Sequence, residues 1–329
     1  MPQREALIRR WLDNILATRD YEMALASGDA SFRRYFRVTL PDRQSLIVMD
    51  APPDKEDCRP FLDVISRLEP IGVHVPHVQA QDLVQGFLLL EDLGDRLYLG
   101  ELTPATADSL YTSAIDALLR IQGGNTAGLP LYDRALLQRE MRLFPDWLLQ
   151  THLDLRLDAR EQSMLDEVFE LLLSSALAQP RVLVHRDYHS RNLLLTGENS
   201  PGIIDFQDAV LGPVSYDLVS LLRDCYVAWP QDRVDHWRDG YTRKAVEAGF
   251  LKPAEAADMP RWFDLMGAQR QLKAAGIFAR LNHRDGKPGY LADIPRTLGY
   301  ILQAAHRQPE LVPLAALIQE RVLPALEAA

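Results

Sequence analysis

One segment, RVLVHRDYHSRNLLLTGENSPGIIDFQDA at residues 181–209, constrains the fold and the chemistry of this chain most strongly. Its apolar runs predict short strands, separated by a polar loop and by the turn-forming sequence TGENSPG. Asp187 and Asn192 lie in the polar loop, and Asp205 follows the apolar pair after the turn. The pattern therefore predicts a hairpin that brings two carboxylates and one amide to the ends of strands.

The order of these three residues resembles the kinase catalytic loop H-R-D-L-x-x-x-N followed by D-F-G, with one change in each motif. In that chemistry Asp187 accepts the proton of an attacking hydroxyl group. Asn192 and Asp205 hold Mg²⁺ against the phosphates of ATP, because Mg²⁺ prefers oxygen ligands. A polar loop between strands can contain Asp, Asn and His by chance, but the ordered triple favours the catalytic interpretation.

Three motifs are similar to those of the aminoglycoside phosphotransferase and choline kinase superfamily: HRDYHSRNLLL, IIDFQDA and GPVSYDLVSLL. The resemblance spans about residues 25–300 and implies an α+β, bilobal, protein-kinase-like fold. It implies a small N-terminal lobe with an antiparallel sheet, residues 1–92, and a larger, mainly helical C-terminal lobe, residues 93–329. A protein kinase is not expected, because Gln207 replaces the DFG glycine and Asp217 follows Asp205 too closely for an activation loop.

Within that superfamily, longer segments resemble the bacterial anomeric kinases of N-acetylmuramate and N-acetylglucosamine. These segments are VHRDYHSRNLL, IDFQDAVLGPVSYDLVSLLRDCYVAWP, SLIVMDAPPDKED and FPDWLL. The resemblance implies a monomeric enzyme that depends on ATP and Mg²⁺ and phosphorylates the C1 hydroxyl of the amino sugar in cell-wall recycling. Two alternatives stay open: a related kinase of an aminoglycoside, choline or homoserine, and a kinase-shaped binding module without catalysis.

The scarcity of lysine bears on how the ATP phosphates are bound, since Lys55 is the single lysine before Arg243. Kinases of this fold normally place a strand lysine on the phosphates, but the strand SLIVMD has Met49 near that position. We expect the loop that begins SGDAS to bind them through backbone N–H groups, hydroxyls and a guanidinium; a solvated turn is the alternative. The predicted ATP-binding residues of this loop are Ser27, Gly28, Asp29, Ala30, Ser31 and Arg33.

Other patterns in the first lobe are regular. The spacing of apolar residues at 7–16 predicts an amphipathic helix. The segments SFRRYFRVTL and SLIVMDAPP predict a hairpin, and CRPFLDVISRLEPIG predicts a helix that ends near Gly72. The run GFLLLEDLGD predicts a buried strand at the lobe boundary, where the backbones of Glu91 and Leu93 are expected to bind adenine. Beyond Tyr98 the pattern is mostly helical.

A sugar pocket is predicted after the second metal ligand, where hydrogen-bonding groups and an aromatic platform occur together. The predicted substrate-binding residues are Gln207, Asp208, Arg223, Asp224 and Trp229. The segment 261–296 contains seven cations and three acids, and this local positive charge suits a neutral or anionic ligand. A solvated helix face, with arginine stems covering apolar surface, is the alternative.

Two residues near the catalytic motif are interpreted as structural, and a third is left without a role. Asp217 opens a predicted helix and is expected to hold the catalytic loop in place. His185 is expected to fix the same loop by hydrogen bonds, because a second base beside Asp187 is unnecessary when the phosphoryl transition state is loose. The role of His189 stays open.

Composition excludes several classes of partner. The chain has 36 basic and 46 acidic residues, a net charge of −10, which opposes nucleic acid as the main partner. Cys58 and Cys225 cannot form a disulfide framework and lie in no metal-binding spacing. The N-terminus lacks the apolar core of a signal peptide, and no segment approaches the roughly 20 apolar residues of a membrane span. We therefore expect a cytoplasmic protein that binds neither nucleic acid nor a membrane.

Overall fold

The computed structural model describes residues 2–16, 18–28 and 32–328. The chain folds into two compact units. The first unit contains Met1–Arg96 together with Leu194–Asp208, and the second contains Leu97–Leu193 together with Ala209–Ala329. The lobe boundary predicted after residue 92 stays a prediction, and it does not include this second passage of the chain through the first unit.

The described part of the first unit has a five-stranded antiparallel sheet. Its strands are β1 (Glu22–Gly28), β2 (Arg34–Thr39), β3 (Ser45–Asp50), β4 (Val78–Asp82) and β5 (Phe87–Glu91), in the order β1-β2-β3-β5-β4. The predicted hairpin is confirmed, because β2 pairs with β3 from Arg34 opposite Asp50 to Thr39 opposite Ser45. The predicted buried strand is also confirmed, since Phe87 to Leu90 are at most 2% exposed.

Two of the described helices belong to the same unit as this sheet. The predicted amphipathic helix is α1 (Pro2–Ile15), and its residues Ile8 and Leu12, one turn apart, are buried in a core formed with sheet residues such as Val48. The second predicted helix is α2 (Arg59–Leu68), followed by a 3₁₀ turn that ends at Gly72. Gly72 has a φ of 73°, a left-handed conformation that glycine adopts without steric cost.

The second unit is mainly helical. Its helices are α3 (Tyr98–Glu101), α4 (Ala107–Gln122), α5 (Arg134–Met141), α6 (Ala159–Ala178), α7 (Tyr216–Leu222), α8 (Gln231–Glu247), α9 (Pro253–Ala256), α10 (Met259–Asp285), α11 (Ile294–Ala305), α12 (Val312–Leu317) and α13 (Leu323–Ala328). Two π-helical segments, Phe144–His152 and Ile318–Val322, and two 3₁₀ turns, Pro288–Asp293 and Pro309–Leu311, complete its described helical part.

Short strands flank the catalytic motif, as the sequence predicts. They are β6 (Arg181–Val184), β7 (Leu193–Leu194), β8 (Gly202–Ile203) and β9 (Val210–Pro213). β6 pairs with β9 in antiparallel register. The polar loop 185–192 therefore leaves a strand whose last residues are buried, and its position within the second unit is fixed by that strand.

The long helix α10 has buried side chains along most of its length. Gly276 allows a close approach, because a Cβ there would lie 2.3 Å from the backbone carbon of Leu143. Gly267 does the same for Arg223, whose Nη1 would lie 2.6 Å from such a Cβ. Backbone and charged groups therefore pack directly against the backbone of this helix.

The α+β class is confirmed, with an antiparallel sheet in the N-terminal part and a mainly helical remainder. Among residues 2–16, 18–28 and 32–328, no helix is long and apolar enough to cross a membrane.

Candidate active site

The catalytic loop 185–192 is held at its start by a buried carboxylate. Asp217 of α7 is fully buried, and it accepts backbone N–H groups from His185 at 2.6 Å and Arg186 at 3.0 Å. Burial raises the pKa of Asp217 to about 7 against these two hydrogen bonds. Arg186 has a φ of 79°, a conformation uncommon for a residue with a side chain. The predicted role of Asp217 in holding the loop is confirmed by these bonds.

The loop then turns back on itself. The backbone N–H of Asp187 donates to Nδ1 of His185 at 3.2 Å, which confirms the expected hydrogen-bonding role of His185. The side-chain amide nitrogen of Asn192 donates to the backbone oxygen of Asp187 at 2.9 Å. This bond fixes the orientation of the Asn192 amide, and its oxygen is therefore the atom with the chemistry of a metal ligand.

A second buried carboxylate holds the end of the loop. Asp224 is 1% exposed and accepts backbone N–H groups from Ser190 and Tyr226, each at 2.9 Å. The hydroxyl of Tyr300 donates to the backbone oxygen of Asp224 at 3.0 Å. The structure therefore places Asp224, a predicted substrate ligand, as an anchor of the catalytic loop.

Beneath the loop lies a buried ion cluster that the sequence interpretation did not identify. Glu140 of α5 has 7% of its side chain exposed, and its Oε1 lies 2.5 Å from Nη2 of Arg186 and 3.1 Å from Nζ of Lys273. The hydroxyl of Tyr132 donates to the other oxygen of Glu140. Burial alone would raise the pKa of Glu140, but the charges of Lys273 and Arg186 outweigh it and lower that pKa.

These cations also act on the proposed base. Burial opposes ionisation of Asp187, but the positive charge of Lys273, with smaller contributions that include Arg186 and Arg270, lowers the pKa of Asp187 overall. A lowered pKa keeps this carboxylate ionised near neutral pH. Asp187 can therefore accept a hydrogen bond from a substrate hydroxyl.

Asp205 and its neighbours belong to the first unit. Asp205 has a φ of 65°, and backbone strain of this kind concentrates at functional sites. Its Oδ1 accepts a hydrogen bond from the side-chain amide of Gln207 at 2.7 Å. The ring of Phe206 packs on Phe61 with centroids 4.9 Å apart, which fixes the backbone beside Asp205. Asp208 is exposed.

Each of the two predicted metal ligands has oxygen chemistry that suits a hard cation. Asp205, in the first unit, carries a carboxylate, and Asn192, in the second unit, carries an amide oxygen. Both are ligand types that Mg²⁺ prefers. In the part of the chain that the structure describes, no group of three or more His, Cys, Asp or Glu side chains is placed to hold a metal ion.

The predicted phosphate loop is described in part. Asp29, Ala30 and Ser31 lie outside the described residues, and Ser27 and Gly28 form the end of β1 rather than a loop. The Nε of Arg33 lies 3.8 Å from a carboxylate oxygen of Glu56. Met49, at the position where a lysine would be expected, is 1% exposed in β3.

The end of β3 carries another ion cluster. Asp50 is fully buried, and its two oxygens lie 2.5 Å from Nη2 of Arg4 and 2.6 Å from Nη2 of Arg34. These contacts join α1, β2 and β3. The guanidinium of Arg34 is therefore committed to a protein carboxylate in this structure.

The predicted adenine-binding segment follows β5. The backbone N–H of Glu91 donates to His77 at 2.9 Å, and the side chain of Glu91 accepts the backbone N–H of His77 at 3.2 Å. Leu93 packs near Gly202, where a Cβ would lie 3.0 Å from its Cδ1. Arg37 pairs with Asp92 at 2.6 Å.

Two predicted sugar ligands have internal partners. Arg223 is 1% exposed and forms an ion pair with Asp264 at 2.5 Å. The indole N–H of Trp229 donates to the hydroxyl of Tyr111 at 2.8 Å, and its ring also contacts Trp237. Both residues therefore contribute to packing within the second unit.

Two cations of the basic segment 261–296 are internal as well. Arg270 and Lys273 are 6% and 7% exposed, whereas Arg296 pairs with Asp293 at 2.6 Å. The alternative of a solvated helix face is therefore wrong for Arg270 and Lys273, because α10 buries both sides of the helix at this point.

The fold and the catalytic loop define a class of protein. The phosphotransferase enzyme family (APH) matches residues 22–256, and this chain belongs to that family. It is an ATP-dependent phosphotransferase, as predicted.

Curated relatives are more specific. An N-acetylmuramate/N-acetylglucosamine kinase of Pseudomonas aeruginosa is 52% identical over 90% of this chain and 88% of its own length. Kinases with the same name from Pseudomonas putida and Neisseria meningitidis are 50% and 42% identical over 91% and 97% of this chain, and over 88% and 96% of their own lengths.

Solved structures confirm the kinase-like fold. An ADP-bound aminoglycoside phosphotransferase, APH(2'')-Ib, matches with a TM-score of 0.58 at 18% identity, covering 91% of this chain and 98% of that chain. A choline kinase from Cryptosporidium parvum matches with a TM-score of 0.64 at 12% identity, covering 95% and 99%.

Proposed function

We propose that this protein transfers the γ-phosphate of ATP to the anomeric hydroxyl of N-acetylmuramate and N-acetylglucosamine, giving the 1-phosphates in cell-wall recycling. The sequence identity of 42–52% to kinases named for these sugars, over at least 90% of this chain, supports the substrate class. The observation that carries the chemistry is the anchored loop with an Asp187 whose pKa is lowered. A cytoplasmic monomer remains part of the proposal.

Asp187 is the proposed base. Its carboxylate accepts a hydrogen bond from the C1 hydroxyl, which orients the hydroxyl oxygen toward the γ-phosphate. It takes up the proton as the new P–O bond forms, while the bond from the γ-phosphorus to the bridging oxygen breaks and ADP leaves. Asp217 and Asp224 prevent movement of the loop by holding its backbone at His185, Arg186 and Ser190. Positioning of this kind supplies much of the catalysis in phosphoryl transfer.

Asn192 and Asp205 are the proposed ligands of Mg²⁺. A bound Mg²⁺ would neutralise charge on the phosphate oxygens during transfer. The hydrogen bond from Asn192 to the Asp187 backbone would keep the amide oxygen oriented toward the metal, and Gln207 would hold one oxygen of Asp205.

The proposed nucleotide contacts involve two segments of the chain. Backbone groups of Glu91 and Leu93 are proposed to bind adenine, and the segment from Ser27 to Ser31 with Arg33 is proposed to bind the phosphates. Because the Glu91 N–H is bonded to His77, its carbonyl oxygen is the proposed contact. Gln207 and Asp208 are proposed to reach the sugar.

A substrate panel tests the proposal. ADP release is measured with N-acetylmuramate, N-acetylglucosamine, kanamycin and choline at equal concentrations, with Asp187→Asn as the matched inactive control. Turnover with the two amino sugars, lost in the variant, is the expected result. Turnover with kanamycin or choline alone would identify a different acceptor, and no turnover with any acceptor would favour a binding module.

A further inference from the structure

An exposed arginine lies inside the catalytic loop, next to a proposed metal ligand. Arg191 follows Ser190 and precedes Asn192, and its side chain is exposed, whereas Ser190 is 1% exposed. Arg191 is four positions after Asp187, so the two Cα atoms are at most about 14 Å apart. Hydrogen bonds that turn the loop back on itself, such as that from Asn192 to Asp187, shorten this separation.

The guanidinium of Arg191 rests on aromatic rings. Its central carbon lies 4.3 Å from the ring centroid of Tyr226 and 5.5 Å from that of Tyr290. The Tyr290 ring in turn stacks on Phe278, with centroids 5.6 Å apart and planes inclined by 21°. Arg191 also has a side-chain hydrogen bond with Tyr226. These contacts orient the guanidinium, whose five N–H donors exceed what Tyr226 alone can accept, so donors remain for a planar anion.

Arg191 and its aromatic platform are held by the same buried carboxylate. Asp224 accepts the backbone N–H groups of both Ser190, beside Arg191, and Tyr226, which carries the stacking ring. One buried carboxylate therefore fixes the backbone next to Arg191 and the backbone of Tyr226 together. The neighbouring Nδ1 of His189 and Oγ of Ser190 are buried and have no hydrogen-bond partner among the described residues.

The charge of Arg191 has no carboxylate of its own. Across residues 2–16, 18–28 and 32–328, no acidic side chain forms an ion pair with Arg191. Asp293 acts on it through its charge, but that carboxylate is paired with Arg296 at 2.6 Å. By contrast, Arg186, Arg223 and Arg296 in the same unit each have an acidic partner within 2.6 Å.

We propose that Arg191, held on Tyr226 and Tyr290, binds the lactyl carboxylate of N-acetylmuramate. This inference rests on the proposed function and adds a specificity residue to it. N-acetylmuramate differs from N-acetylglucosamine by a lactyl ether at O3, which carries the single carboxylate of the sugar. A planar guanidinium can donate two parallel hydrogen bonds to that carboxylate.

Exposure of Arg191 explains how one site accepts both sugars. A buried arginine would lose its hydration and remain unpaired when the neutral sugar binds, which would exclude that sugar. Arg191 is exposed, so water solvates its guanidinium when N-acetylglucosamine is bound. The carboxylate contact then adds affinity for N-acetylmuramate without a matching penalty for N-acetylglucosamine.

The test measures kcat/KM for both sugars in the full-length enzyme. Arg191→Gln keeps a polar side chain and removes the charge, and Arg191→Lys keeps the charge but loses the two-pronged geometry. We expect the ratio of kcat/KM for N-acetylmuramate over N-acetylglucosamine to fall roughly 10- to 100-fold in Arg191→Gln, and by less in Arg191→Lys. Arg284→Gln is the matched control, an exposed arginine paired with Asp285 at 3.0 Å, and should leave the ratio unchanged.

The substrate can be altered instead of the protein. The methyl ester of N-acetylmuramate lacks the negative charge, so the unmodified enzyme should lose a similar factor on this ester. Arg191→Gln should then cause little additional loss, because both changes remove the same interaction.

The outcomes separate this inference from the proposed function. Equal loss on both sugars, an unchanged ratio, or losses that multiply with the ester would overturn the role of Arg191 while leaving the kinase assignment intact. Absence of turnover with either sugar in the unmodified enzyme would reject the proposed function and this inference with it.

Discussion

Each unit of this protein buries a carboxylate against two cations, and the two clusters differ in what lies beside them. In the first unit Asp50 is paired with Arg4 and Arg34. The guanidinium of Arg4 lies 4.9 Å from the ring centroid of Phe87, and that of Arg34 lies 5.2 Å from the ring centroid of Phe36. This cluster joins a helix to the end of two strands.

In the second unit Glu140 is paired with Arg186 and Lys273. Arg186 is the residue before Asp187, and both cations lower the pKa of Asp187. The same ionic arrangement thus stabilises tertiary structure in one unit and, in the other, also keeps the proposed base ionised and its loop in position. The difference arises from the element to which one cation of each cluster belongs. Arg34 lies on a strand, whereas Arg186 lies in the catalytic loop.

The largest expected effect on kcat comes from replacing Asp187, the residue whose pKa the second cluster lowers. Asp187→Asn should lower kcat by about 10²- to 10⁴-fold, because the amide cannot accept a proton. The thermal midpoint of unfolding and the affinity for ATP should remain close to those of the unmodified protein. ADP-release kinetics and calorimetry measure these quantities, and wild-type turnover would remove Asp187 from the mechanism.

Glu140→Gln should affect both stability and catalysis. Removing one member of a buried ion cluster leaves two cations under-compensated and costs about 3–5 kcal/mol of unfolding free energy. Release of Arg186 should also displace the loop and lower kcat by roughly 10- to 100-fold. Chemical denaturation and steady-state kinetics test the pair of effects. A folded variant with normal kcat would show that the cluster has no influence on Asp187.

Asp50→Asn should affect stability alone. Its arginine partners are partly exposed, with 26% and 22% of their side chains accessible, so the expected loss is about 1–3 kcal/mol. In the fraction that remains folded, kcat should change less than that of Glu140→Gln. Equal losses of kcat in the two variants would show that the two clusters do not differ in their effect on catalysis.

The smallest effect concerns pH. The pKa of Glu140 is lowered from its ordinary value of 4.5, so its stabilising contribution is fully present above that value and is lost as pH falls through the folded-state pKa. The unfolding free energy of the unmodified protein should therefore decline more steeply below pH 4.5 than that of Glu140→Gln. Parallel curves from urea denaturation at several pH values would show that Glu140 has no such linkage.

The sequence predicted the catalytic loop well because its chemistry is local. Asp187, Asn192 and Asp205 occur within one short segment bounded by apolar runs, and β6, β7 and β8 lie where those runs predict strands. The hairpin of β2 and β3 could be predicted for the same reason. Its alternating burial and its turn are both local properties of the chain.

The supporting residues could not be predicted in this way. Glu140 and Lys273 meet because α5 and α10 pack together, and no spacing in the sequence indicates that contact. A signal existed for Lys273, an isolated lysine within the apolar helix sequence QLKAAGIFARL, but the sequence interpretation only counted it among the seven cations of the segment 261–296. Arg223 was predicted to bind sugar from its place in the sequence near Trp229, and its ion pair with Asp264 could not be foreseen because Asp264 lies on a separate helix. The sequence interpretation predicted no strand at β1 and placed its last two residues, Ser27 and Gly28, in a loop. The strand gives a weak hydrophobic pattern, because Met23 packs against the core whereas Leu25 is exposed.

The most direct test of the account is the identity of the product made from N-acetylglucosamine and ATP. Phosphorus NMR with proton coupling distinguishes a phosphate on C1, coupled to the single anomeric proton, from a phosphate on C6, coupled to two methylene protons. We predict the 1-phosphate with the unmodified enzyme and at least about 100-fold less phosphorylated sugar with Asp187→Asn over the same time. A 6-phosphate product, or equal product formation by the variant, would contradict the proposed mechanism.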